Sequence, residues 1–256
     1  MKNTFVETAN VRRFHTALTA LERRGATEAC LMVVDGLPGL GKTTSLHRWA
    51  AQSGSVFLRA TVEWTPSWFL NDLLAQFQIT PAHSYQKRYH QALEALLQRQ
   101  SSLAQQRRPF AVVIDEADHI SRSARIMESI RDFSDMGDII FVLVGMGKIR
   151  ANLVQFPQIA SRISQYVQFN HATVEDVRLF YNALCEVAVA DDVVKYTLEV
   201  TRGFNREIMS AVKTVEHLGR RNGATTDNPV TMQHLAGQSL INDRKTSMPI
   251  LVPVGV

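Results

Sequence analysis

Eight consecutive residues, Gly36-Leu37-Pro38-Gly39-Leu40-Gly41-Lys42-Thr43, carry the most specific chemistry in the sequence. They fit the spacing G-x-x-x-x-G-K-[ST] in full. Glycines in such a run let successive backbone N–H groups turn toward a phosphate. A helix opening at the end of the run adds the positive end of its dipole. In that setting Lys42 reaches the β- and γ-phosphates, the Thr43 hydroxyl ligates Mg²⁺, and Thr44 closes the cradle. The ligands expected are ATP and Mg²⁺. A plain glycine-rich turn is the competing reading, and it gives no reason for Lys-Thr to follow the last glycine.

A second element lies seventy residues on, where Phe110-Ala-Val-Val-Ile ends in Asp115-Glu116. A buried strand here delivers carboxylates at its C-terminal end, the edge where open α/β sheets bind ligands. Asp115 is expected to hold Mg²⁺ through water. Glu116 is expected to orient and polarise the attacking water. The run Asp115-Glu116-Ala117-Asp118-His119 also invites a helicase reading. Such motors use two α/β domains, and 256 residues leave room for one. Asp118 and His119 are therefore read as structural or as supports for Glu116.

These groups need a scaffold, and the apolar pattern supplies one. Runs at 30–35, 55–60, 110–115, 139–144 and 166–169 read as five strands. The first, third and fourth are almost continuously apolar, as parallel strands covered on both faces are. Helical patterns fall between them: after Thr43, from Thr65-Pro66 with Thr as N-cap and Pro at the first helical position, at 85–105 and at 124–133. Strands alternating with helices predict a parallel α/β sheet. Beyond Phe169 the strand signal stops. Thr173-x-x-Asp176 is a capping box ahead of a helix over 174–187, and further helices are expected at 192–200, 205–220 and 231–240. The division predicted is 1–170 for the nucleotide-binding domain, 171–242 for a small all-helical domain, and 243–256 for an extended tail.

Composition fits an ordinary globular chain, with 45% hydrophobic and 20% charged residues, so extensive disorder is excluded. A net charge of +4 admits nucleic acid as a partner. Cys30 and Cys185 have no metal-ligand spacing and read as core thiols in a reducing cytoplasm. The first fourteen residues show no apolar signal core. The longest apolar stretch is far too short to span a bilayer, so no membrane role is expected.

With these motifs in this order the chain resembles the AAA+ ATPases over nearly its whole length. The loop after the first of five strands, Asp-Glu after the third, and the helical domain as a lid all match. Within that group it looks most like the transposition ATPases, the phage Mu B and TnsC types. That likeness rests on the DGLPGLGKTT loop and the VFLRATVEWTPSWFLNDLL segment. The resemblance implies that Arg206, in Gly203-Phe-Asn-Arg206, touches the γ-phosphate from the lid. It implies that Arg162, just ahead of the fifth strand, reaches the ATP of an adjacent subunit, with Arg150 as the rival. It also leaves a gap. A polar side chain is usual after the fourth strand, and Gly145-Met146-Gly147 has none, which suits slow hydrolysis.

The same resemblance implies self-assembly into a helical or ring oligomer on double-stranded DNA, sequence-nonspecific binding, target selection and recruitment of a transposase. The setting implied is the cytoplasm of a bacterial or phage-infected host cell. Phosphate contacts need Lys or Arg. The candidates are Lys87-Arg88, Arg107-Arg108, Arg122 with Arg125, and Lys148 with Arg150. Trp64, Trp68 and Phe69 read as a helical core stripe or a partner surface. A helicase loader or replication initiator is the alternative within the superfamily. Outside it stand a P-loop small-molecule kinase, which needs no Glu116, and a non-hydrolysing nucleotide switch.

Overall fold

A computed structural model describes residues 1–2, 4–23, 30–225, 228–244 and 246–254. The chain divides into two compact units. One comprises Arg13–Pro38 and Lys42–Phe169. The other comprises Met1–Arg12, Gly39–Gly41 and Asn170–Val256.

The larger unit is built on a five-stranded parallel sheet in the order β2-β3-β4-β1-β5. The strands are β1 (Leu31–Asp35), β2 (Val56–Arg59), β3 (Ala111–Asp115), β4 (Ile140–Val144) and β5 (Ile163–Gln168). Every residue of β3 and β4 is buried, as is all of β1 except Asp35. The three strands with unbroken apolar runs therefore lie in the middle, where both faces are covered. Each buried Val, Leu or Ile there contributes about 1.5–3 kcal/mol. At the edges, β5 alternates buried or half-buried residues with exposed ones, and β2 is buried at Val56 and Leu58, half-buried at Phe57 and exposed at Arg59. The first four strands fall where the apolar runs place them; β5 overlaps its run at 166–168 but begins three residues earlier, at Ile163, and Phe169 lies beyond it.

The connecting helices are α2 (Lys42–Ser53), α3 (Pro66–Ala75), α4 (Tyr85–Gln105), α5 (Ala124–Gly137), and the short α6 (Ile149–Leu153) and α7 (Pro157–Ala160). They are preceded by α1 (Ala9–Glu22), whose Val11, Phe14, Leu18 and Leu21 are buried. Thr65 caps α3 by accepting from Trp68 N, with Pro66 at the first turn. Of the aromatic stripe, Trp64 and Phe69 are core and Trp68 is about half exposed. Trp64 also donates its indole N–H to Asp72 at 2.8 Å.

The second unit packs α8 (Val174–Leu184), α9 (Asp191–Thr201) and α10 (Asn205–Arg221) around Val177, Val193, Ile208, Val212 and Val215. The Thr173–Asp176 capping box is present in both directions. The expected helix over 231–240 is only one turn, α11 (Met232–Leu235). Gly237, at φ +71°, breaks it, and the chain enters β6 (Ser239–Asn242). The stretch read as an extended tail turns at 243–248 and returns as β7 (Pro249–Leu251), antiparallel to β6. Residues 245, 255 and 256 of that stretch lie outside the described residues. Leu240, Ile241 and Val252 are buried, which fixes the ribbon to the helical core. Cys30 and Cys185 are both buried, as core thiols are. Among the described residues no helix is long and apolar enough to cross a membrane.

Candidate functional site

The C-terminal end of β1 leads into the phosphate-loop sequence, and β3 ends nearby at Asp115. In the larger unit the Thr43 hydroxyl donates to Asp115 Oδ2 at 2.8 Å. Asp115 is 3% exposed. A hydroxyl and a buried carboxylate in contact are hard oxygen donors of the kind Mg²⁺ takes. These two residues fit the ion that the sequence calls for.

Lys42 is also buried, and its ammonium donates to the carbonyls of Gly36 at 2.6 Å and Leu37 at 3.0 Å. Burial pushes its pKa down, and Asp35, Asp115 and Asp118 oppose that shift. A buried cation whose hydrogen bonds go to carbonyl oxygens is poised for an anion. Asp35 closes the base of the loop by accepting from Gly36 N at 2.7 Å and Gly147 N at 2.6 Å.

Glu116 departs from strand geometry. Its backbone is left-handed, φ 55° and ψ 33°, at a cost of about 1–2 kcal/mol for a residue with a Cβ. Strain of this kind persists where the surroundings over-determine it, and it clusters at working sites. Arg59, the last residue of β2, donates to Glu116 Oε1, and His119 Nε2 lies 3.6 Å from Oε2. The Arg59 hydrogen bond is the chief reason the Glu116 carboxyl sits below its ordinary range; burial opposes it. Arg59 was not singled out in the sequence. It ends an edge strand, and only the β2–β3 register, Arg59 opposite Asp115, reveals the pair.

After β4, Gly145-Met146-Gly147 carries no polar side chain. Its backbone is instead gripped by Asp118, which accepts from Met146 N and, at 3.2 Å, from Lys148 N. Asp118 is thus a structural residue of this loop, and His119 a neighbour of Glu116.

In the second unit, Gly39 and Gly41 have φ of +92° and +86°, values that favour glycine. Asn205 at the start of α10 donates its side-chain amide to Leu40 O at 3.1 Å, and Arg206 N donates to Gly39 O at 3.3 Å. A Cβ on Gly41 would lie 2.8 Å from Asn205 Nδ2. Gly203, at φ +73°, has no room for a Cβ either, since Ala172 O would be 2.8 Å away. The side chain of Arg206 extends from the first turn of α10, and the residue is exposed.

The remaining sequence candidates are scattered. Arg162 forms an ion pair with Asp135 of α5 at 3.3 Å. Arg150 lies over the Tyr166 ring at 4.8 Å. Lys87, Arg125 and Lys148 are exposed, and so is Arg122, whose Nε donates to Asn152 at 3.2 Å. Arg88 is half-buried and ties α4 to α3 through Asn71 at 2.9 Å and Ser67 at 3.4 Å. Arg108 donates to Gln52 O.

A parallel sheet with a glycine loop after its first strand and Asp-Glu after its third defines a P-loop nucleotide-binding fold of the AAA+ type. Residues 24–153 match the AAA domain family, and the chain belongs to it. No curated protein matches the chain. Among solved structures it is similar to the Aeropyrum pernix ORC2 protein in ADPNP–ADP complexes, with a TM-score of 0.61 and 16% identity, over 89% of this chain and 68% of that one. It is also similar to the Aeropyrum pernix ORC1 protein in complex with DNA, with a TM-score of 0.54 and 17% identity, over 91% of this chain and 64% of that one. A Thermotoga maritima RuvB mutant gives 0.54 and 20%, over 89% of this chain and 67% of that one. These likenesses concern the fold.

Proposed function

We propose that this protein hydrolyses ATP and uses the cycle to assemble with copies of itself on duplex DNA. The observation that carries the hydrolysis is the end of β3. There Asp115 bonds Thr43 of the phosphate loop, while the next residue, Glu116, is held as an ionised carboxylate in a strained backbone. Lys42 and the loop N–H groups bind the phosphates. Thr43 and Asp115 hold Mg²⁺, which supplies charge neutralisation on the phosphates when bound. Glu116 accepts a proton from the attacking water. A kinase has no use for Glu116 in this role.

Arg206 acts on the γ-phosphate, and Arg162 acts in an adjacent subunit, exchanging its Asp135 partner for the developing charge. Arg150 is the alternative donor. DNA contact falls to the exposed cations Lys87, Arg122, Arg125, Lys148 and Arg150, which meet the backbone without reading sequence. Delivery of target DNA to a transposase is the biological setting that the sequence resemblance supports. The second reading is a replication initiator or helicase loader, favoured by the likeness to the ORC proteins, one of which was solved with DNA.

The test is phosphate release and electron microscopy of the full chain with ATP, Mg²⁺ and duplex DNA of arbitrary sequence. Regular assemblies that form with ATP and disperse on hydrolysis are expected. Continuous coverage of any duplex favours the transposition setting, and discrete particles on chosen sites favour the initiator. A chain that stays monomeric and releases no phosphate overturns the proposal.

A further inference from the structure

Arg244 sits on the turn between β6 and β7. Within the unit that contains Gly39–Gly41 it reaches the phosphate-loop backbone. Its Nη1 and Nη2 lie 3.5 and 3.7 Å from where a Gly39 Cβ would stand. The guanidinium is oriented from two sides. Its Nε pairs with Glu207 Oε1 at 2.9 Å, and its plane covers the Phe204 ring at 4.7 Å. Among the described residues no hydrogen bond is made by Nη1 or Nη2. A fork fixed at its stem and open at its tip is the geometry with which arginine takes phosphate oxygens.

A second observation points the same way. Asn205 gives its amide N–H to Leu40 O, yet its Oδ1 is buried and unpaired. A buried acceptor without a donor is costly unless a ligand or water completes it. A donor fork and an unpaired acceptor thus flank the same three loop residues. A nucleotide carries both complements, anionic oxygens and hydroxyl groups.

The ribbon is built to hold Arg244 there. Leu240, Ile241 and Val252 are buried, Asp243 N donates to Met248 O at 2.8 Å across the turn, and Tyr196 OH donates to Leu251 O at 3.0 Å.

We propose that Arg244 is a phosphate ligand of the nucleotide that the Gly39–Gly41 backbone cradles. The inference rests on reading Gly36–Thr43 as the phosphate loop. The experiment is calorimetric titration of the full chain with Mg-ADP and Mg-ATP, comparing wild type, Arg244→Ala and Lys42→Ala, with thermal melting of each without nucleotide. Charge-assisted hydrogen bonds of this kind predict a loss of about tenfold to a hundredfold in affinity for Arg244→Ala, at a melting temperature close to wild type. If Arg244→Ala binds like wild type while Lys42→Ala does not, the inference is overturned and the phosphate loop stands. If neither variant loses affinity, the phosphate-loop reading fails and the inference with it. Should Arg244→Ala not fold, Arg244→Gln replaces it: weakened Mg-ADP binding by the folded variant supports the assignment, and unchanged binding overturns it.

Discussion

Gly41→Ala tests whether α10 grips the phosphate loop. Two costs can be read from the structure. The backbone at Gly41, φ +86°, is one that side chains rarely adopt, and holding alanine in a left-handed conformation costs about 1–2 kcal/mol. The new Cβ would also stand 2.8 Å from Asn205 Nδ2. That atom ends a flexible side chain and can withdraw, but it then loses its bond to Leu40 O, worth about 0.5–1.5 kcal/mol. Together the loss is about 1.5–3.5 kcal/mol. Gly223→Ala is the control: its φ is +69° and, among the described residues, nothing lies within 4 Å of its Cβ position, so only the backbone cost applies. Urea denaturation of the full chain measures both. Asn205→Ala removes the contact beforehand, so Gly41→Ala in that background should cost less by the hydrogen-bond share, a coupling of about 0.5–1.5 kcal/mol. Equal losses at Gly41 and Gly223, with no coupling to Asn205, would refute the grip.

Other expectations concern chemistry and DNA. Glu116→Gln should keep Mg-ATP binding and lower turnover by about 10²–10⁴-fold in a phosphate-release assay; unchanged turnover removes Glu116 as the base. Arg59 holds the Glu116 carboxyl below its ordinary range, so Arg59→Ala raises that pKa. Because the ionised form accepts the proton, the acid limb of the pH–rate profile should move to higher pH, and an unmoved limb dissociates the two residues. Lys87→Ala should reduce the salt slope of duplex binding by about one while stability stays within about 0.5 kcal/mol. Arg88→Ala should instead destabilise by about 1 kcal/mol, since its partners are Asn71 and Ser67; a reversed pattern would exchange their roles.

Where the sequence was legible, single-residue chemistry or unbroken periodicity made it so. The runs of β1, β3 and β4 stood out because strands buried on both faces carry almost no polar residues. Thr65-Pro66 and Thr173-x-x-Asp176 mark helix starts because the capping side chain lies beside its own target. The phosphate loop is read from eight adjacent residues. The losses arise where distance decides. Arg59 meets Glu116 only through strand register, and Arg244 meets Gly39 across two hundred residues of chain. The helix α1 does have a local signal, for Val11, Phe14, Leu18 and Leu21 are spaced by three, four and three. The ribbon has a local cause, for Gly237 stops α11 and β6 follows two residues later, with Leu240 and Ile241 buried.

The gap after β4 has a steric explanation that leads to a last prediction. A side chain at position 145 could mimic the polar residue usual at this place in the related ATPases. The surroundings forbid even a methyl group. A Cβ on Gly145 would lie 2.3 Å from Ile149 Cγ2, 2.7 Å from Ile149 Cβ and 3.0 Å from Asp118 Oδ2. Ile149 is fully buried at the start of α6, and its Cβ cannot swing aside without moving the helix. Asp118 is committed to the N–H groups of Met146 and Lys148. Gly145→Asn therefore overpacks the loop at about 1–3 kcal/mol and loosens the Asp118 grip. It should melt earlier than wild type and hydrolyse ATP no faster. A variant that folds as well as wild type and turns over faster would mean that the glycine leaves a usable vacancy. The expected result means that Asp35 and Asp118 hold the loop through its backbone N–H groups, with no room for a side chain at position 145.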